Sequence, residues 1–101
     1  MVRFIVLYNT PEDPAAFERH YRDVHIPLTR KLPGLRRYTL GRHATAIRGD
    51  PYYLIAELEW DDMDVLQKAF QSPEGRATAQ DVSNLASSAG VRSMVYEVEE
   101  V

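Results

Sequence analysis

The sequence FERHYRDVHIPLTRKLPGL, residues 17–35, is the stretch from which the fold and the candidate site can best be interpreted. On a helix that turns about 100° per residue, its apolar side chains form one stripe: Phe17, Tyr21, Val24, Leu28 and Leu32. His20 and His25 fall on opposite shoulders of that stripe. Pro27 removes a backbone donor and disfavours helical geometry at the residue before it. We therefore expect a kink or an early helix end near His25, which would tilt its ring away from the regular face.

The same stretch carries a sequence signature. The pattern F-x-x-H-Y-x-x-x-H-x-P-L, followed by L-P-G-L, is formed by Phe17, His20, Tyr21, His25, Pro27, Leu28, Leu32, Pro33, Gly34 and Leu35. It resembles the signature of the EthD family, small proteins of the dimeric α+β barrel superfamily. The resemblance implies a homodimer. It also suggests a link to catabolism of an alkyl ether alongside an oxygenase system. Similar proteins include a lactone isomerase and polyketide-modifying decarboxylases or dehydratases.

Composition narrows the possible classes of protein. A chain of 101 residues with 45% hydrophobic and 27% charged residues is typical of one globular domain, here residues 1–101. The net charge of −3 disfavours nucleic acid as a partner. The chain has no cysteine, which excludes thiol chemistry and disulfides. The longest early apolar run, Phe4 to Leu7, is too short to span a membrane, and no signal peptide is visible. We therefore expect a cytoplasmic protein that does not bind membranes.

The order of the predicted elements is β-α-β-β-α-β, the ferredoxin-like arrangement. Asp13-Pro14 predicts the start of the first helix, and Pro33-Gly34 its end. Asp61 or Asp62 caps a helix through Phe70, and Ser72-Pro73 caps a further helix over 74–85. Ala89-Gly90 is expected to turn the chain into the last strand. The predicted strands are Val2–Asn9, Leu35–Arg48 with an irregularity near Gly41, Tyr52–Trp60 and Val91–Glu99.

Helices on one face of a four-stranded antiparallel sheet leave its other face bare. Ile5, Leu7, Ile55 and Val95 would be exposed there, a larger apolar patch than monomers usually tolerate. We therefore predict a dimeric α+β barrel, in which two copies pack sheet against sheet.

The two histidines are the candidate catalytic residues. In this architecture a cavity lies between the sheet and the helices. A histidine near neutral pKa can pass a proton either way, as a general acid–base must. We interpret His25 as the proton shuttle and His20 as a positioning group. The alternative for each is a boundary histidine that only bonds a neighbouring carbonyl. On an ideal helix the pair would be about 140° apart, so the sequence predicts no shared metal ion.

Four further residues are candidates for ligand binding. The Tyr21 hydroxyl could orient a ligand, and Asn9 could offer an amide to a bound oxygen. Tyr38 and Trp60 add aromatic surface, although packing is the alternative for all three aromatic residues. Asn9 and Trp60 loosely match residues of haem-degrading members of the superfamily. The region 61–85 has no histidine to ligate haem, so no cofactor is predicted.

Two hypotheses about function remain open. The first is a cofactor-independent enzyme with isomerase, decarboxylase or dehydratase chemistry on a small oxygenated cyclic or aromatic compound, in a catabolic or secondary-metabolic pathway. The second is a non-catalytic dimer that binds a small organic metabolite or assists an oxygenase system. The sequence lacks a nucleophile–base pair, a phosphate-binding loop and a metal cluster, and this keeps the second hypothesis open.

Overall fold

The computed structural model describes residues 1–87 and 90–101. Four strands form one antiparallel sheet in the order β2-β3-β1-β4. Together with the helices, this is the predicted ferredoxin-like α+β arrangement, so the fold class is confirmed. Of the predicted Ala89-Gly90 turn, Ala89 lies outside the described residues. The strands are β1 Val2–Tyr8, β2 Arg37–Arg42, β3 Leu54–Trp60 and β4 Val91–Glu97.

The helices begin at the residues that the sequence predicts as caps. Asp13, Asp62 and Ser72 each accept a hydrogen bond from a backbone N–H of the first helical turn. The first helical region ends at Arg30, a few residues before Gly34, whose φ of 71° suits glycine. The helical elements are α1 Pro14–His20, a π-helical turn Tyr21–His25, α2 Ile26–Arg30, α3 Met63–Gln71 and α4 Pro73–Leu85.

The π-helical turn changes which side chains of the first helical region are buried. The hydrogen bond that closes it, onto the Tyr21 carbonyl, spans five residues instead of four. The extra residue places His25 and Thr29 on the buried face, whereas Val24 is exposed and Leu28 only half-buried. The predicted positions of Val24 and Leu28 in the apolar stripe are therefore wrong.

The same turn corrects the predicted break at Pro27. Proline has no N–H to donate to the Asp23 carbonyl, so one α-helical bond is missing at this point. The backbone accommodates this with the π turn and stays helical beyond His25. Because His20 and His25 are five residues apart, they are about one turn of this wider helix apart. Both face α4, and the prediction of opposite shoulders is wrong.

The second strand is shorter than predicted. It ends at Arg42, and His43 follows with a φ of 57° in the left-handed region, which takes the chain out of the extended conformation. The His43 side chain is exposed, as predicted.

The alternation along β3 is confirmed. Leu54, Ala56, Leu58 and Trp60 are buried under the helices, and the intervening side chains lie on the bare face. The prediction that Val95 lies on the bare face is wrong. Val95 pairs with Phe4, whose ring packs on Phe70 of α3, so Val95 lies on the helix-facing side of the sheet. Met94, opposite Ile5, takes its place on the bare face.

Candidate functional site

A cavity of about 400 Å³ lies between the sheet and the helices. Most of its wall is apolar and comes from the sheet and from helices α3 and α4: Phe4, Val6, Leu58, Phe70, Val82 and Val91. Its titratable lining groups are His25 and three phenols, Tyr8, Tyr21 and Tyr38. Such a cavity favours a largely apolar molecule that carries few polar atoms.

His25 is held at the cavity wall by an aspartate. Its Nδ1 atom is 2.9 Å from Oδ2 of Asp81 on α4, and both side chains are 6% exposed. If Nδ1–H donates to the carboxylate, Nε2 carries the lone pair and is the ring nitrogen left for a molecule in the cavity. Thr29 donates a hydrogen bond of 2.9 Å to the His25 carbonyl and supports the backbone there.

His20 contacts the other oxygen of the same carboxylate. Its Nε2 atom lies 2.7 Å from Oδ1 of Asp81, and its side chain is 31% exposed. Asn84 donates to the same Oδ1 at 3.0 Å. His20 does not line the cavity, but a separate and more polar pocket of about 550 Å³ that also includes Asn9. Asp81 therefore lies between two pockets, with one histidine facing each.

The electrostatics of this cluster favour a neutral His25 beside an ionised Asp81. Burial lowers the pKa of His25, and the attraction of Asp81 only partly offsets it. Burial alone would raise the pKa of Asp81, but hydrogen bonds from Asn84, His20 and His25 bring it below its ordinary value. A neutral imidazole oriented by a carboxylate is the form that a general base needs.

Two of the phenols share a hydrogen bond. The hydroxyls of Tyr21 and Tyr38 are 2.6 Å apart, and the Tyr21 ring lies 5.1 Å from the His25 ring between centroids. Burial raises the pKa of both phenols, so both stay protonated at neutral pH. Both predicted residues line the cavity next to His25.

Asn9 and Trp60 lie outside this cavity. Asn9 is exposed and borders the polar pocket near His20. Trp60 is fully buried, packs on Phe70, and donates from its indole N–H to the Pro33 carbonyl at 2.9 Å. Its contacts are those of a core side chain.

Asp81 and Tyr8 are the residues that the sequence reasoning missed. Asp81 is the one acidic side chain that is buried on α4. It lies three residues after Thr78 and four residues before Leu85, which are also buried, so all three share one face of the helix. This spacing is a signal in principle, but the helix is only weakly amphipathic. Tyr8 falls within the predicted first strand, but the alternation of a strand does not indicate which of its side chains line a cavity.

A metal centre finds no support in the part of the chain that the structure describes. Within residues 1–87 and 90–101, no group of three or more histidine, aspartate or glutamate side chains is arranged to hold an ion. The same residues contain no helix long and apolar enough to cross a membrane.

The fold and the cavity define a class: a small ferredoxin-like α+β protein with its candidate site between sheet and helices. Comparison with known proteins defines the family. The EthD domain matches residues 9–89, and the chain belongs to the EthD family.

Two relatives and one protein of the same fold show how far the similarity extends. The chain is 38% identical over 102 residues to an uncharacterised 11.0 kDa protein of the thcB-thcC intergenic region of Rhodococcus erythropolis, covering 99% of this chain and 96% of that protein. An EthD family protein from Bacillus halodurans C-125, known from its crystal structure, is 39% identical with a TM-score of 0.88, over 98% of this chain and 99% of that one. SnoaB, a cofactor-independent oxygenase from Streptomyces nogalater, shares the fold at 21% identity and a TM-score of 0.67, over 99% and 94% of the two chains.

Proposed function

We propose that the protein is a cofactor-independent enzyme that moves a proton on a small oxygenated cyclic or aromatic compound, in a catabolic or secondary-metabolic pathway of the cytoplasm. One observation carries the proposal: Asp81 binds Nδ1 of His25, 2.9 Å away, and so leaves Nε2 for a molecule in a largely apolar cavity. His25 is the general base and the acid that returns the proton. Its reaction is an isomerisation, or the proton-transfer step of a decarboxylation or dehydration.

The surroundings of His25 support this role. A neutral imidazole in a largely apolar cavity is suited to act as a base, because burial lowers its pKa and keeps it unprotonated. Asp81 stabilises the imidazolium that forms when Nε2 takes the proton, since its carboxylate already accepts from Nδ1. His20 positions Asp81 from the opposite side. The chemistry needs no metal or redox group.

The enzyme acts as a homodimer in this proposal. Ile5, Leu7, Ile55 and Met94 share the bare face of the sheet with charged residues such as Glu59, which pairs with Arg3 at 2.7 Å. Met94 is 48% exposed in the single chain. A second copy packed on this face would cover the apolar atoms.

The proposal is tested by solvent exchange at carbon. A panel of cyclic and aryl ketones, lactones and phenols is incubated with the protein in D₂O, and deuterium uptake is measured by NMR and mass spectrometry. His25→Asn keeps an amide N–H near the Nδ1 position and removes Nε2. We expect it to lower the exchange rate by at least about a hundredfold.

His43→Asn is the matched control, because it makes the same substitution at an exposed histidine outside the cavity. It should exchange at the rate of the unaltered chain. Exchange that survives in His25→Asn would refute the proton-shuttle role.

A second candidate is the non-catalytic binder or oxygenase accessory, which the largely apolar wall of the cavity favours. In that case ligands bind, no compound exchanges, and His25→Asn changes affinity only.

Native mass spectrometry tests the dimer. Ile55→Asp places a charge in the centre of the bare face and should yield monomers, whereas the exposed Ile47→Asp in the loop should not. A native chain that is monomeric at micromolar concentration would refute sheet-against-sheet packing.

A further inference from the structure

Tyr8 is a buried residue whose hydroxyl makes no hydrogen bond within residues 1–87 and 90–101. It is the last residue of β1 and is 1% exposed. Its ring is fixed edge-on between Phe17 and Tyr21, with centroid distances of 5.4 Å and 6.0 Å. The side chain lines the same cavity as His25. Its position is therefore set by packing, and its hydroxyl end is left to be explained.

The neighbouring phenols show how unusual this is. Tyr21 and Tyr38 bond each other at 2.6 Å, and Tyr53 donates to Glu18 at 2.7 Å. Among residues 1–87 and 90–101, the Tyr8 hydroxyl makes no hydrogen bond. Buried tyrosine hydroxyls usually have a partner, because leaving a polar group unsatisfied in an apolar site is costly. Of the three phenols that line the cavity, Tyr8 is the one whose hydroxyl takes part in no hydrogen bond among the described residues.

We infer that the Tyr8 hydroxyl forms an oxygen-binding subsite of the cavity and donates a hydrogen bond to the carbonyl oxygen of a ring compound. This inference rests on the proposed function and names its substrate class: cyclic or aryl carbonyl compounds with an acidic C–H beside the carbonyl. Burial raises the pKa of Tyr8, so the phenol stays protonated and acts as a donor. The cavity volume of about 400 Å³ accommodates a ring with substituents.

The subsite and His25 together complete a balanced reaction. His25 Nε2 takes the proton, the C–H bond breaks, and its electron pair forms the C=C bond of an enolate. The negative charge moves to the oxygen, where the hydrogen bond from Tyr8 becomes stronger than it was to the neutral carbonyl. The imidazolium then returns the proton to the same or a conjugated carbon, so no oxidant, reductant or second substrate is consumed.

Binding of two shape-matched probes tests the inference without any need for turnover. Acetophenone offers a carbonyl oxygen, and cumene replaces it with a methyl group. We expect the native chain to bind acetophenone more tightly than cumene. Tyr8→Phe should weaken acetophenone binding by about threefold to tenfold and leave cumene binding unchanged. Tyr52→Phe, which removes a phenol that does not line the cavity, is the control and should change neither affinity.

Thermal unfolding distinguishes a ligand-binding role from a structural one. A hydroxyl without a partner stabilises nothing, so the Tm of Tyr8→Phe should be equal to or above that of the native chain. A Tm lowered by several degrees would reveal a structural partner and overturn the inference. It would also be overturned by a native chain that binds neither probe or does not prefer acetophenone, and by a preference that survives in Tyr8→Phe.

A failure of the proposed function can be distinguished from a failure of this inference, because catalysis is measured by deuterium exchange and the subsite by binding. His25→Asn should lower the rate of deuterium exchange by at least about a hundredfold and keep the preference for acetophenone. If the native chain shows the Tyr8-dependent preference but no exchange, the oxygen-binding subsite stands and catalysis by His25 is rejected.

Discussion

Asp81 binds one histidine from the wall of each of two pockets, and the two pockets differ in polarity. The inner cavity, of about 400 Å³, is mostly apolar and has His25 in its wall. The outer pocket, of about 550 Å³, is bordered by loop and helix-end residues and has His20 in its wall. The His25 side chain is 6% exposed and that of His20 is 31% exposed, although both bind the same carboxylate.

The difference shows that burial, more than the hydrogen bond to Asp81, separates the two histidines. Each histidine has a ring nitrogen within hydrogen-bond distance of an Asp81 carboxylate oxygen, at 2.7 Å for His20 and 2.9 Å for His25. Only His25 combines this contact with the wall of a largely apolar cavity, where charge interactions are stronger than in water. His20 has access to solvent, and in the proposed function it holds Asp81 in place. The following expectations test this division of roles.

Asp81→Asn should have the largest effect, since it removes the negative charge that both histidines contact. The amide can no longer stabilise an imidazolium at His25 and can present its NH₂ group to Nδ1, which favours the wrong tautomer. We expect exchange to fall on the order of a hundredfold or more. The free energy of unfolding should fall by about 1–3 kcal/mol, because buried charge-assisted hydrogen bonds are weakened. The exchange assay and urea unfolding measure the two effects.

The matched control is Asp61→Asn, at a carboxylate that is exposed and bonded to Arg36 at 2.9 Å. It should leave exchange unchanged and have little effect on stability, as is usual for surface pairs. Equal effects of the two substitutions would contradict a special role for the buried carboxylate.

The second expectation concerns pH and the inner histidine. The pKa of His25 is lowered below 6.5 in the folded chain, so the unfolded chain binds a proton more readily there. The free energy of unfolding should therefore fall as pH drops below about 6.5, with a limiting slope of about 1.4 kcal/mol per pH unit. Asp81, with its pKa lowered from 3.8, contributes only at more acidic pH. Among the described residues, the titratable groups that face His25 are Asp81, His20 and Tyr21, whose ring centroid is 5.1 Å from that of His25.

Urea unfolding at pH 7 and pH 5 measures this contribution. His25→Asn should lose less stability than the native chain between the two values, and His43→Asn should lose as much as the native chain. If His25→Asn shows the full native loss, His25 is not the buried neutral group described above.

Much of the fold was predictable because it rests on local signals. Caps at Asp13, Asp62 and Ser72 and the alternation of β3 are set by neighbouring residues, and the structure confirms them. The end of β2 was not predictable because it depends on the positive φ of His43, a backbone conformation that the residue type alone does not specify.

The candidate site was less predictable for a physical reason. A regular helical period puts Val24 on the core face, and only the π turn replaces it with His25. Pro27 indicated a disturbance but not its form, since kinks, helix ends and π turns all follow from a missing N–H. Asp81 is 56 residues away from His25 in sequence, so its contact depends on how α4 packs and leaves no local pattern.

The third expectation is a modest effect at the outer histidine. His20→Gln can keep an N–H close to Asp81, which also remains bound by His25 and Asn84. Exchange should fall by less than about tenfold, because a partly exposed hydrogen bond contributes little. A loss as large as that of His25→Asn would mean that the outer pocket takes part in the chemistry directly.

Asn9→Ala should have the smallest effect, and it decides which of the two pockets binds the ligand. Asn9 borders the outer pocket and is exposed, and its backbone N–H donates to the Gly90 carbonyl at 2.9 Å in a bond that alanine would keep. Because the inner cavity does not include this side chain, acetophenone affinity should be unchanged within about twofold, which is less than one neutral hydrogen bond is worth. Tyr8→Phe, measured alongside, should weaken the same affinity. If the order is reversed, so that Asn9→Ala weakens binding and Tyr8→Phe does not, the ligand lies in the polar pocket beside His20. The buried histidine would then be the residue that supports Asp81, and the exposed one would face the substrate.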